Sequence, residues 1–208
     1  MEFTLRRNAQ LTAVLLFTAS ITQIVYTALY VAEANVPRQF LWGTESLLFV
    51  LMAAVAGAAL SQTERHHLAW AAIAAASVLN VVQVGVGLTM FGPFYEAAGE
   101  LEAVTPAAKA VVAFSFHSYN AAKILLALAL IVFALAGRAA MAQSAAASGG
   151  PKVLSGLGLL VGLIAFVSNT ASMAAGRDVF GELPLAGGSG VLSAILLGVI
   201  LLSVTDDD

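Results

Sequence analysis

Phe116-His117-Ser118-Tyr119-Asn120-Ala121-Ala122-Lys123 lies in the middle of Ala107–Gly137, a run with no glycine or proline between its ends. The run is long and apolar enough to cross a bilayer, for which about 20 helical residues suffice. Yet it places an imidazole, a carboxamide and an amine where hydrocarbon belongs. Ionisable groups at that depth are costly and by default mark a site or a pathway. The stretch therefore predicts a membrane-spanning helix with a polar face, and the other segments are read around it.

The composition agrees. Of 208 residues, 60% are hydrophobic and 10% charged, against about 25% charged in soluble domains. So little polar surface cannot cover a water-soluble globule. In lipid, only helices or closed barrels satisfy their backbone groups internally. The apolar runs here are near twenty residues long and do not alternate, which excludes a barrel. The predicted fold class is all-α, a polytopic membrane protein forming one domain over residues 1–208. With no cysteine, disulfides, thiolate nucleophiles and cysteine-held iron–sulfur clusters drop out. The net charge of -3 says little about nucleic acid, and no basic stripe suggests it, so nucleic acid is not expected as a partner.

Six spans are expected, at about 11–31, 40–60, 68–91, 107–137, 153–176 and 185–204. Pro37, Pro93, Pro106, Pro151 and Pro184 all fall between them, where a missing amide donor does least harm. The first span reads as a retained helix, because its apolar run exceeds the 7–15 residues of a signal peptide core. Arg6, Arg7, Arg65, Arg138 and Lys152 fall on one side, against Arg38, Lys109 and Arg177 among several acids on the other. The positive-inside rule then puts both termini in the cytoplasm of an inner or plasma membrane, with Asp206-Asp207-Asp208 as a solvated tail. Residues 139–151 read as a flexible cytoplasmic loop. Gly92–Pro106 reads as an external connector that also fits a short interfacial helix.

An internal correspondence is visible as well. Asn80, Gly87, Phe91 and Gly92 match Asn169, Gly176, Phe180 and Gly181 at a constant shift of 89 residues. This pattern suggests three repeated helical hairpins, although glycine is common enough here for chance to produce it.

Polar side chains recur inside the spans. Asn80 and Gln83 share a face, and Gln23, Thr27 and Tyr30 line another. On the fourth span Asn120 is taken as the centre of the polar face, with His117 and Lys123 to either side and Tyr119 pointing elsewhere. At a rise of 1.5 Å per residue from the outer loops, Glu45 lies roughly 7 Å deep, His117 and Asn169 roughly 12 Å, Gln23 and Asn80 roughly 15 Å, and Lys123 roughly 20 Å. The set gathers between the midplane and the outer face, which suggests a cavity open outward.

Each residue also has a structural reading. Asn80, Gln83, Asn169 and Gln23 serve equally as interhelical hydrogen bonds. Glu45 suits the first turn of a helix. His117 suits a satisfied structural histidine, and His66-His67 a solvated loop. Gly187-Gly188-Ser189-Gly190 reads as a loose start to the last helix. Lys123 is hardest to dismiss, since a buried ammonium needs a carboxylate, carbonyls or water.

No phosphate loop, Ser-His-Asp order or HExxH pattern appears, so no reaction and no cofactor is named. The first expectation is a transporter-, channel- or receptor-like protein binding or translocating a small polar or ionic solute. Gln23, Glu45, Asn80, Gln83, His117, Asn120, Lys123 and Asn169 are its candidate binding or pathway residues. The second is an anchor subunit of a membrane complex, holding a quinone or haem or joining a homo-oligomer. The third is an intramembrane enzyme acting on a lipid-like ligand, with His117 and Glu45 as acid and base.

Overall fold

The structure is a computed structural model that describes residues 3–34, 36–143, 149–176, 178–181 and 183–205. The described residues form six α-helices: α1 (Leu5–Val31), α2 (Gln39–Gln62), α3 (His67–Glu100), α4 (Thr105–Gln143), α5 (Gly149–Ala175) and α6 (Leu185–Leu201). Five are long and apolar enough to cross a membrane. The 17-residue α6 spans only about 25 Å, short of a hydrocarbon core of about 30 Å. The chain is thus an all-helical bundle suited to a bilayer.

Local chemistry sets the helix ends. Thr4 caps α1 by accepting from the Arg7 amide at 3.3 Å, which satisfies one of the orphan donors of the first turn. The α2–α3 hairpin turns through His66 in the left-handed region at φ 58°. His66 is half-buried against Phe133, with ring centroids 5.2 Å apart, so it is packed where a solvated loop was expected.

Several helix ends differ from the sequence reading, among them the starts of α1 at Leu5 and of α5 at Gly149, within the expected loop. Pro93 does not end α3, which continues to Glu100 and takes up most of the expected connector. The preceding residue is Gly92, which has no Cβ to collide with the pyrrolidine ring, so the usual bar to helix before proline is relaxed. The glycine-rich start of α6 is helical from Leu185. The fourth helix runs on to Gln143. Residues 144–148 of the expected flexible loop, and the Asp206–Asp208 tail, lie outside the described residues.

Successive helices pack as neighbours, α6 returns to α1, and α4 also touches α6 directly. The result is a ring of α1, α2, α3, α4 and α6, with α5 on its outside in the α4–α6 corner. Neighbours are antiparallel: Asn8 near the start of α1 donates to Gln62 at the end of α2, at 2.8 Å. Both chain ends therefore lie at one end of the bundle, here called the base; the opposite end is the top.

The base half is solid. Leu16, Met52, Trp70, Ile73, Leu130 and Leu201 are each at most 1% exposed and fill the ring from five helices. Small residues bring the backbones close, as expected where lipid supplies no hydrophobic drive between helices. A Cβ on Gly162 of α5 would stand 2.8 Å from Ile131 Cγ1 and 3.3 Å from the Ala127 carbonyl oxygen of α4. That close approach seats α5.

The 89-residue correspondence has a partial counterpart. Asn80 and Asn169 each donate Nδ2 to the carbonyl four residues earlier, at 3.0 and 2.8 Å. The glycines differ: Gly87 is inside α3, whereas Gly176, at φ 97°, follows the end of α5.

Candidate functional site

Lys123 is 1% exposed on α4. Its Nζ crosses the ring to donate to Gln23 Oε1 of α1 at 2.7 Å. The ammonium also lies 5.0 Å from the centroid of the Tyr119 ring, within range of a cation–π attraction. Its stem fits because position 190 is glycine: a Cβ there would stand 2.9 Å from Lys123 Cγ and 3.0 Å from Cδ. The glycines of α6 thus admit a long side chain against the helix backbone.

Above this link the ring opens into a cavity of about 850 Å³, walled mostly by apolar side chains. Its polar groups come from several helices: Gln23 of α1, Glu45 of α2, Gln83 of α3, Asn120 and Tyr119 of α4, and Ser172 of α5. Gln83 and Ser115 tie α3 to α4, with Gln83 Nε2 3.5 Å from Ser115 Oγ, and Ser115 Oγ 3.4 Å from the Gln83 carbonyl. Glu45 is 5% exposed. Among the described residues its Oε1 has no hydrogen-bond partner, and neither does Ser172 Oγ; the nearby Thr22 hydroxyl donates to the Ala19 carbonyl at 2.9 Å. Buried polar atoms are nearly always paired; Ser20 Oγ, Asn80 Oδ1 and Asn169 Oδ1 also lack partners among the described residues, but of these five residues only Glu45 and Ser172 line the cavity.

Aromatic rings roof one side of the top. Tyr26 and Trp42 have centroids 5.8 Å apart, Trp42 and Phe91 5.8 Å, and Phe91 and Tyr95 6.3 Å, forming a row across α1, α2 and α3. Arg38 anchors the row with its guanidinium 5.6 Å from the Tyr26 ring and 5.5 Å from the Tyr30 ring. Tyr26, Trp42 and Phe91 also face the cavity.

Comparison with known proteins finds no matching family model, no similar curated protein and no similar solved structure. The functional reading rests on this chain's own geometry.

Four of the eight candidate residues, Gln23, Glu45, Gln83 and Asn120, line the cavity. Lys123 lies just behind the wall, with Gln23 and Tyr119 between it and the chamber. Asn169 joins α5 to α6, donating to the Ala186 carbonyl at 3.1 Å as well as to its own helix, so its geometry is that of an interhelical bond. Asn80 is buried and bonds its own helix; like Asn169, it is not part of the lining. His117 is exposed on the outside of the bundle and does not join the others. With Asn120 as zero on a helical wheel, Phe116, Lys123 and Tyr119 lie at about -40°, -60° and -100°, and His117 at about +60°. The inward face is centred near Lys123, not Asn120, which turns His117 out and Tyr119 in. The aromatic wall, Ser115 and Ser172 were not read as site residues from the sequence. The i, i+3, i+4 series Gln23, Tyr26, Thr27 was the signal that could have revealed Tyr26.

Proposed function

We propose that the protein is a membrane-embedded binding protein whose cavity holds an organic ligand by its polar or ionic end, with the top facing outward and both termini in the cytoplasm. The observation that carries this reading is that Glu45, a residue lining the cavity, has a buried Oε1 without a hydrogen-bond partner among the described residues. A donor group on a ligand removes the cost of that orphaned oxygen. Gln23, committed through Oε1 to Lys123, keeps its amide hydrogens for the same ligand. The volume of about 850 Å³ falls within the 300–1,000 Å³ common for ligand sites. The solid base half supports a binding state in preference to an open channel. An acid–base pairing of Glu45 with His117 has no geometric support, because His117 faces away from the cavity.

Native mass spectrometry of gently solubilised protein tests the reading. The wild type is expected to carry a small-molecule adduct that Glu45→Gln weakens about tenfold or more, as for a lost hydrogen bond to a charged group. An adduct indifferent to Glu45→Gln and Asn120→Leu, or no adduct at all, contradicts it.

The orientation has its own test, made clean by the absence of natural cysteines. Glu100→Cys, at the top end of α3, is expected to react with a membrane-impermeant maleimide on intact cells. Glu64→Cys, in the α2–α3 turn at the base, should react only after lysis. The reverse pattern would invert the assigned topology.

A further inference from the structure

The wall of the cavity is not uniform around the ring. Between α1 and α6 the base half is shut, where Phe17 Cε1 would stand 2.8 Å from a Cβ on Gly198. Toward the top the same two helices expose Ile24 (51%), Val31 (75%) and Leu192 (45%), and each of these also lines the cavity. Residues that line a cavity and are exposed stand on its rim. Ile24 lies seven residues below the top of α1, and Leu192 seven below the top of α6, so both sit about 10 Å down their helices. In a bilayer with a hydrocarbon core of about 30 Å, that depth adjoins acyl chains. The rim is apolar there, while the aromatic row lies along α1, α2 and α3 on the other side of the top.

We propose that the cavity opens sideways into the bilayer between α1 and α6, and that its ligand is a single-chain amphiphile with a hydrogen-bond-donating head, a primary alcohol or amine. The proposal rests on the binding reading given above and specifies its ligand and route. The head passes Ile24 and Leu192 to reach Glu45 Oε1 and Ser172 Oγ, the unpartnered atoms of two residues on the wall. The Glu45 carboxylate only accepts, so the head must donate to it, while the Ser172 hydroxyl can accept from the head or donate to it. The ring of Trp42, on the cavity wall three residues before Glu45 on α2, suits an ammonium. The chain lies along the apolar walls and trails through the slot into lipid.

Photolabelling in phosphatidylcholine vesicles tests this with diazirine-bearing hexadecanol, hexadecylamine and hexadecanoate. The alcohol or amine is expected to label cavity peptides, and hexadecanoate, which has no donor when ionised, to leave them unlabelled. Leu192→Trp and Ile24→Trp, bulky changes at lipid-exposed positions, should reduce labelling to background. Val167→Trp, at an exposed site on α5, should leave it at the wild-type level, and melting temperatures should confirm that all three fold. Labelling that survives both slot variants but falls with Glu45→Gln overturns the lateral route alone. Preferred labelling by hexadecanoate, or no cavity labelling by any long-chain probe while the native adduct persists, overturns the ligand class alone. Absence of both a Glu45-dependent adduct and Glu45-dependent labelling overturns the binding reading itself.

Discussion

Gln23→Leu is expected to destabilise the bundle by at least about 1–3 kcal/mol, the range for leaving a buried polar group unpaired, which rises when the group is charged. Leucine preserves bulk but leaves the Lys123 ammonium, 1% exposed, without the carbonyl oxygen it meets at 2.7 Å. The Tyr119 face remains as its nearest support, and a cation–π contact alone does not replace a charge-assisted hydrogen bond. Lys123→Met is expected to cost less, because it removes the charge together with the need for a partner. The double variant Gln23→Leu/Lys123→Met should recover most of the loss. Thermal unfolding in mild detergent measures all three. Additive losses in the double variant would show that the two side chains do not depend on each other.

Gly190→Ala is expected to destabilise although alanine favours a helix over glycine by about 1 kcal/mol. The new methyl would stand 2.9, 3.0 and 3.3 Å from Cγ, Cδ and Cβ of Lys123. These atoms are the root of the side chain, so they cannot move away without drawing Nζ from Gln23. Overpacking of this kind costs about 1–3 kcal/mol, enough to reverse the propensity gain. Gly188, two residues earlier, has nothing within 4 Å of a built Cβ, so Gly188→Ala should be neutral or stabilising. Opposite signs at two glycines of one helix isolate the Lys123 contact from propensity. Equal stabilisation at both would refute the packing described for Lys123.

Most of the fold could be read from the sequence because hydropathy and helix length follow directly from the bilayer. Where the reading missed, a particular residue changed the rule. Gly92 let α3 pass through Pro93, and the contacts of Lys123 and Tyr119 with α6 turned an apparent loose start into a packed helix. Depth along the helices put Gln23 and Glu45 toward one end of the bundle, and both line the cavity with Gln83 and Asn120. Their shared cavity follows from residues that carry polar contrast in an apolar chain. Direction around the helix was harder to read. The fourth helix touches α3, α5 and α6, so more than one of its faces is buried, and a polar stripe alone does not mark the inward one. That is why His117 and Tyr119 exchange places relative to expectation. Tyr26, Trp42 and Phe91 gave no contrast at all, since aromatic residues in an apolar sequence look like ordinary packing until their neighbours on other helices are known.

The most direct test of a ligand site in the cavity is an experimental density map of the protein purified from its native membrane. The expected result is non-protein density inside the ring, within hydrogen-bonding distance of Glu45 Oε1 and bounded by Tyr26, Trp42 and Asn120. A collapsed chamber, with Glu45 closed directly onto Lys123 and no space between α1 and α6, would contradict it.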